Sequence, residues 1–86
     1  MEDRLKATRT VSIDKIYVPV KRKKTIEADK INTIAESILE EGQKTPIQVR
    51  EDGNRLVLVE GLHRLEACRA LGEDSIKAIF VQARRF

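Results

Sequence analysis

The sequence predicts an α+β domain of about four strands, near residues 10–16, 46–50, 55–59 and 76–81, with helices near 26–41 and 62–71. Three stretches carry that prediction. Val57 to Gly72 reads as an apolar strand, a sharp turn at Gly61, then a helix closed by Gly72. Ile31, Ile34, Ala35, Ile38 and Leu39 recur at the spacing of one helix face, and Gly42 follows them as a stop. Two apolar runs flank Glu51-Asp52-Gly53-Asn54, the composition of a turn between antiparallel strands.

Each element has a local cause. Residues 1–9 are polar and charged and are expected to form a flexible arm before a single domain over 10–86. Val11, Ile13 and Ile16 suggest a short strand running into a turn, and Pro19 keeps Val18 extended. Lys21-Arg22-Lys23-Lys24 is expected as a basic loop that leads into the first helix, with Thr25 as its N-cap and Gly42 as the residue past its end. The apolar stripe of that helix should cover the sheet. Pro46 opens the strand Ile47 to Arg50, where a missing N–H is tolerated, and Arg55 to Val59 returns as its hairpin partner. The unbroken run Leu56-Val57-Leu58-Val59 suggests burial on both faces. In the second helix, Leu65, Cys68 and Leu71 point inward, with Ala67 and Ala70 permitting close approach. Ile76 to Val81 is the last strand, and residues 82–86 trail from it.

Composition narrows the function classes. A chain of 86 residues buries only about 60–65% of its unfolded surface, enough for one small core. Charged residues at 36% and apolar residues at 41% fit a soluble globular domain. The net charge of +3 permits a polyanionic partner without demanding one. One cysteine rules out an internal disulfide and a cysteine-rich zinc site. No apolar run reaches membrane-spanning length and the first residues lack a signal-peptide core, so a cytoplasmic location with no membrane partner is expected.

The chemistry concentrates at the start of the second helix. A helix N-terminus offers unpaired N–H groups and the positive end of the macrodipole. Gly61, Leu62, His63 and Arg64 occupy that turn; the imidazole can donate to a phosphate oxygen, its protonated form being favoured there, and the guanidinium fork fits phosphate bidentately. A second polar stripe, Lys30, Thr33 and Ser37, follows one edge of the first helix; by spacing alone it is the flank of an amphipathic helix. The basic run Lys21 to Lys24, by composition alone, is a solvated segment.

Several spaced elements together carry a resemblance. Ala35-Glu36-Ser37-Ile38 with Gly42, then Thr45-Pro46-Ile47-Gln48-Val49, then Glu60-Gly61-Leu62-His63-Arg64-Leu65-Glu66-Ala67 with Ala70-Leu71-Gly72, resemble the ParB/sulfiredoxin superfamily from about Val11 to Val81. The resemblance implies a compact domain with a small mixed sheet, in which the Gly-x-His-Arg turn and the following helix hold nucleotide phosphates. In sulfiredoxins the motif is Gly-Cys-His-Arg, and its cysteine is the nucleophile that uses ATP in sulfinic acid reduction. Leu62 stands at that position here and cannot attack, while Cys68 lies further along on the face assigned to the core. The nucleotide side of the pattern is retained: Lys30, Thr33 and Ser37 match the sulfiredoxin lysine and hydroxyl spacing.

ParB partition proteins, which bind CTP and add a DNA-reading helix-turn-helix, supply the other branch of the likeness. That reader and a second phosphate motif are absent from these residues. A third branch transfers a phosphoryl group to a small molecule, and there the acidic residue before the glycine is a candidate base, a place held here by Glu60. Glu60, or Glu27 near the first helix, could also hold Mg²⁺. The expected function is therefore a module that binds ATP or CTP with Mg²⁺ through Gly61 to Arg64, Lys30, Thr33 and Ser37, with the basic loop Lys21 to Lys24 closing over the charge. Such a module is expected as a monomer or weak homodimer, DNA-associated through the basic loop in plasmid or chromosome partition or regulation. The alternative is a small ATP-dependent phosphotransferase or ATPase that uses Glu60.

Overall fold

The computed structural model describes residues 7–82. In chain order, β1 (Thr8–Ser12) leads through a 3-10 turn (Ile13–Lys15) to β2 (Ile16–Tyr17), then α1 (Val20–Lys23) and α2 (Ala28–Glu41). The hairpin β3 (Ile47–Asp52) and β4 (Arg55–Glu60) follows, then α3 (Leu62–Ala70) and β5 (Ser75–Phe80). Five strands form one mixed sheet in the order β1-β5-β3-β4-β2. β1 is antiparallel to β5 and β3 to β4, whereas β3 runs parallel to β5 and β2 parallel to β4.

The expected α+β architecture is present, with one strand more than the sequence suggests. The segment read as a single strand near 10–16 is two, and they lie on opposite edges of the sheet. The break falls where Ile13 buries its side chain and donates its N–H to the Asp74 carbonyl at 3.0 Å, so the chain crosses the end of the sheet there. Thr8 and Arg9 belong to β1; the rest of the expected arm, through residue 6, lies outside the described residues, as does the tail from residue 83.

Two boundaries at the first helix also shift. The basic run is a helical turn rather than a loop, because Pro19 fixes its entry and the Pro19 carbonyl accepts the N–H groups of Arg22 and Lys23 at 2.9 and 3.3 Å. Thr25 caps no helix; its hydroxyl donates to the Arg22 carbonyl at 2.7 Å, and α2 begins only at Ala28, after the extended Glu27. Gly42 ends α2 as expected, with its N–H on the Ile38 carbonyl at 2.8 Å.

The core lies on one face of the sheet. Ile47, Val49, Leu58, Ile76 and Ala78 meet Leu62, Leu65 and Cys68 of α3, and Ile13, Ile16 and Val18 close the rim. Each such aliphatic side chain contributes about 1.5–3 kcal/mol by leaving water. Because α3 fills that face, α2 does not cover the sheet; it packs on α3, with Ile31, Ile34, Ala35 and Ile38 of its stripe half-buried, Leu39 exposed and no residue of α2 fully enclosed. Leu71 and Ala70 are likewise outside the core, Leu71 half-buried and Ala70 exposed. β4 matches its apolar run at the centre, where Val57 and Leu58 are buried on opposite faces. Gln43 ties the α2–β3 connector to β5: its amide nitrogen donates to the Thr45 and Lys77 carbonyls, both at 3.0 Å, and its oxygen accepts the Lys77 N–H at 2.8 Å.

Candidate functional site

The strand β4 delivers the chain into α3 through Gly61, and that residue is dictated twice. Its φ of +104° lies in the left-handed region that side chains resist. A Cβ there would stand 2.6 Å from Ile47 Cγ2 and 3.2 Å from the Ile47 Cα, and Ile47 is itself fully buried. The turn therefore presses backbone against β3 with no side chain between them. No side chain caps α3, and the first helical hydrogen bond runs from the Leu65 N–H to the Gly61 carbonyl at 2.9 Å. The N–H groups of Leu62, His63 and Arg64 thus have no acceptor inside the helix.

Those groups border a cavity of about 480 Å³ lined by Arg22, Thr25, Ile34, Thr45, Pro46, Gln48 and the run Glu60 to Arg64. Two guanidinium groups, an imidazole and a helix N-terminus face one carboxylate, Glu60, so the cavity suits an anion. Arg22 is anchored as well as placed: its Nη1 donates to the Val59 carbonyl at 2.7 Å, which ties α1 to the end of β4 just before the turn. Leu62 is in the core, 4% exposed, at the position where a sulfiredoxin would carry its cysteine.

His63 joins the two helices that form the site. Its Nε2 accepts the Glu27 N–H at 3.0 Å, so the N-terminus of α2 is brought to that of α3. With Nε2 accepting, Nδ1 is the ring nitrogen left to donate. Beyond His63, a second hollow of about 280 Å³ is lined by Asp29, Lys30, Thr33 and Ile34. His63 and Ile34 belong to both hollows, making one continuous surface.

The expected site residues divide accordingly. Gly61 to Arg64 and Glu60 are together, and Lys30 and Thr33 stand across His63 from them. Lys30 pairs with Glu27 at 3.4 Å and the Thr33 hydroxyl donates to the Asp29 carbonyl at 3.1 Å. Ser37, exposed one turn further on, lines neither hollow. The basic run does not act as one unit, since Arg22 lines the cavity while Lys23 lines a different cleft between α1 and α3. Glu27 is bound up with Lys30 and His63. Among the described residues no three His, Cys, Asp or Glu side chains cluster as a metal site. Thr25, expected only as a helix cap, and Thr45, Pro46 and Gln48, whose signal in the sequence is their place in the Thr-Pro-Ile-Gln motif, also line the cavity.

Cys68 is a core residue. Burial pushes its thiol up from the ordinary value of 9.0; the Glu73 carboxylate adds to the shift, and Arg64 opposes it.

Comparison with known proteins places this arrangement. The family model of the ParB N-terminal domain matches residues 2–85. Sulfiredoxin from Arabidopsis thaliana superposes with a TM-score of 0.80 at 26% identity, covering 90% of this chain and 86% of that one. The C-terminally truncated chromosome-partitioning protein ParB from Caulobacter crescentus, complexed with CTP-γ-S, gives 0.78 at 21% identity over 91% of this chain and 46% of that one. A free serine kinase in complex with AMP gives 0.74 at 15% identity over 88% and 31%. This chain thus spans less than half of the ParB and kinase structures. No curated protein matches it. Among the described residues no helix is long and apolar enough to cross a membrane.

Proposed function

Because the chain belongs to the ParB N-terminal domain family, we propose that it is a nucleotide-binding module that grips the phosphates of a nucleoside triphosphate, ATP or CTP, at the start of α3. The observation that carries this reading is the convergence of unpaired N–H groups of Leu62 to Arg64 with the side chains of Arg22, His63 and Arg64 on one cavity. Further support comes from the shared fold of proteins whose structures hold CTP-γ-S or AMP.

In this reading the backbone N–H groups and the Arg64 fork bind the terminal phosphates. His63 donates from Nδ1 while its Nε2 keeps the α2 N-terminus in place. Arg22 approaches from α1, and Lys30 exchanges Glu27 for a phosphate oxygen. Thr33 extends the site across His63. Ser37, Lys21, Lys23 and Lys24 have no part in the grip.

A second reading rests on Glu60, the one carboxylate lining the cavity. Beside bound phosphates it can accept the proton of an acceptor hydroxyl, which makes the module a small phosphotransferase or ATPase. Mg²⁺, held by the phosphates and Glu60, would supply charge neutralisation there.

Calorimetric titration with ATP, CTP, GTP and ADP in Mg²⁺ buffer tests the proposal. Charge-assisted hydrogen bonds contribute about 1.5–3 kcal/mol each, so Arg64→Ala should weaken binding by about 10- to 100-fold with the circular dichroism spectrum unchanged. Unaltered affinity in that variant would refute the assignment. Turnover that is equal in Glu60→Gln and the parent chain would remove the second reading.

A further inference from the structure

Four large apolar side chains are exposed among the described residues: Tyr17, Val20, Ile26 and Leu39. Two of them, Tyr17 and Ile26, line a cleft of about 470 Å³ on the far side of α1 from the nucleotide cavity, floored by Ile16 and Val18. Val20, 62% exposed, begins α1 beside it in sequence. The rim of the cleft is cationic. Arg69 and Glu66 line it as an ion pair at 3.7 Å, which leaves its excess positive charge to Lys23; Lys24 follows Lys23, and neither lysine forms an ion pair with a carboxylate among the described residues. The face of Tyr17 is already covered by the Arg55 guanidinium, 4.1 Å from the ring centroid. The guanidinium occupies one face of that ring, and the apolar floor of Ile16 and Val18 suits an aliphatic group.

The fourth exposed side chain has the complementary chemistry. Leu39 is 72% exposed near the C-terminal end of α2. Glu36, three residues before it, shares its helix face, Glu40 neighbours Glu36 at four residues' spacing, and neither carboxylate has an ion-pair partner among the described residues. Leu39 cannot reach the cleft of its own chain. It stands eleven residues along α2 from Ala28, about 17 Å at the helical rise, whereas Ile26 of the cleft precedes that helix.

We propose that the α1 cleft receives Leu39 of a second copy of this chain, with Glu36 and Glu40 of that copy on Lys23 and Lys24. The contact joins two different surfaces, so it is head-to-tail: each copy keeps a free cleft at one end and a free Leu39 at the other. It assigns a contact to the exposed apolar groups at both surfaces and to two unpaired lysines. It does not depend on nucleotide binding, and its failure would leave the phosphate site untouched.

Sedimentation equilibrium of the full chain, with no nucleotide present, tests it. A contact this small is weak, so the average mass should rise with concentration toward about 0.1–1 mM and fall back as salt screens the charges. Leu39→Lys, which removes the knob, and the double variant Lys23→Glu with Lys24→Glu, which reverses the rim, should each be monomeric throughout. Both sites are exposed, and circular dichroism verifies that each variant folds. An equimolar mixture of the two should form a two-chain species and nothing larger, because the first retains the cleft and the second the knob. A parent chain that stays monomeric overturns the proposal, as does a mixture that stays monomeric. So does a short DNA duplex that binds a monomeric parent chain, is lost with the lysine variant and is retained with Leu39→Lys.

Discussion

Replacing Gly61 by alanine probes the turn on which the site depends. Two penalties act at once. The φ of +104° forces an L-residue into left-handed backbone, at a cost of about 1–2 kcal/mol. The added Cβ would lie 2.6 Å from Ile47 Cγ2 and 2.9 Å from its Cβ, and Ile47 is enclosed with no exposed surface into which to retreat. Overpacking of that kind costs about 1–3 kcal/mol, so the total is about 2–5 kcal/mol. For a domain of this size each kcal/mol lowers the melting temperature by about 4–8 °C, and the variant should lose at least about 8 °C. Gly72 is the internal control: its φ is +80°, but a Cβ there meets nothing within 4 Å, so Gly72→Ala bears only the backbone term. Thermal or urea unfolding of both variants measures the difference. Equal losses in the two would mean that β3 does not press on the turn, and the reasoning would fail.

Other consequences follow from single contacts. Gln43→Ala removes the side-chain bonds to both backbone groups of Lys77 and should cost about 1–2 kcal/mol, read as a lower urea midpoint at unchanged slope; no loss would mean that the connector is not fastened to β5. Cys68 titrates higher folded than unfolded. Its contribution to stability is therefore complete below the unfolded value of 9.0 and is lost as pH rises from there through the raised folded value. Above pH 9 the parent chain should lose stability faster than Cys68→Val does, and parallel pH profiles would contradict the burial argument. In the native protein at neutral pH a disulfide reagent should react slowly with Cys68 and quickly once urea is added.

The parts of the fold that were legible in the sequence are those governed by local rules. The hairpin follows from Gly53 and its apolar flanks, α3 from its glycines and α2 from its period. What escaped depended on distant partners. Nothing near Ile13 in sequence reveals that its N–H bonds to Asp74, so two strands on opposite edges read as one. The stripe of α2 gives the packed face of the helix but neither its partner nor the exposure of Leu39, because the helix that takes the sheet is decided by how α3 fills it. At the site, the Gly-x-His-Arg turn was readable since the glycine, imidazole and guanidinium are neighbours in sequence. The separate destinations of Arg22 and Lys23 were not, because adjacent residues of a helical turn diverge only once the turn has formed. The role of His63 as an acceptor for α2 depends on a contact across 36 positions.

The central claim is that nucleotide phosphates sit on the first turn of α3. Amide chemical shifts, followed while ATP, CTP, GTP and ADP are each titrated in the presence of Mg²⁺, test it most directly. The account predicts that for at least one nucleotide the N–H signals of Gly61, Leu62, His63 and Arg64 move most and saturate together, with Lys30 and Thr33 following. If those four signals stay in place with every nucleotide, the phosphate site is refuted.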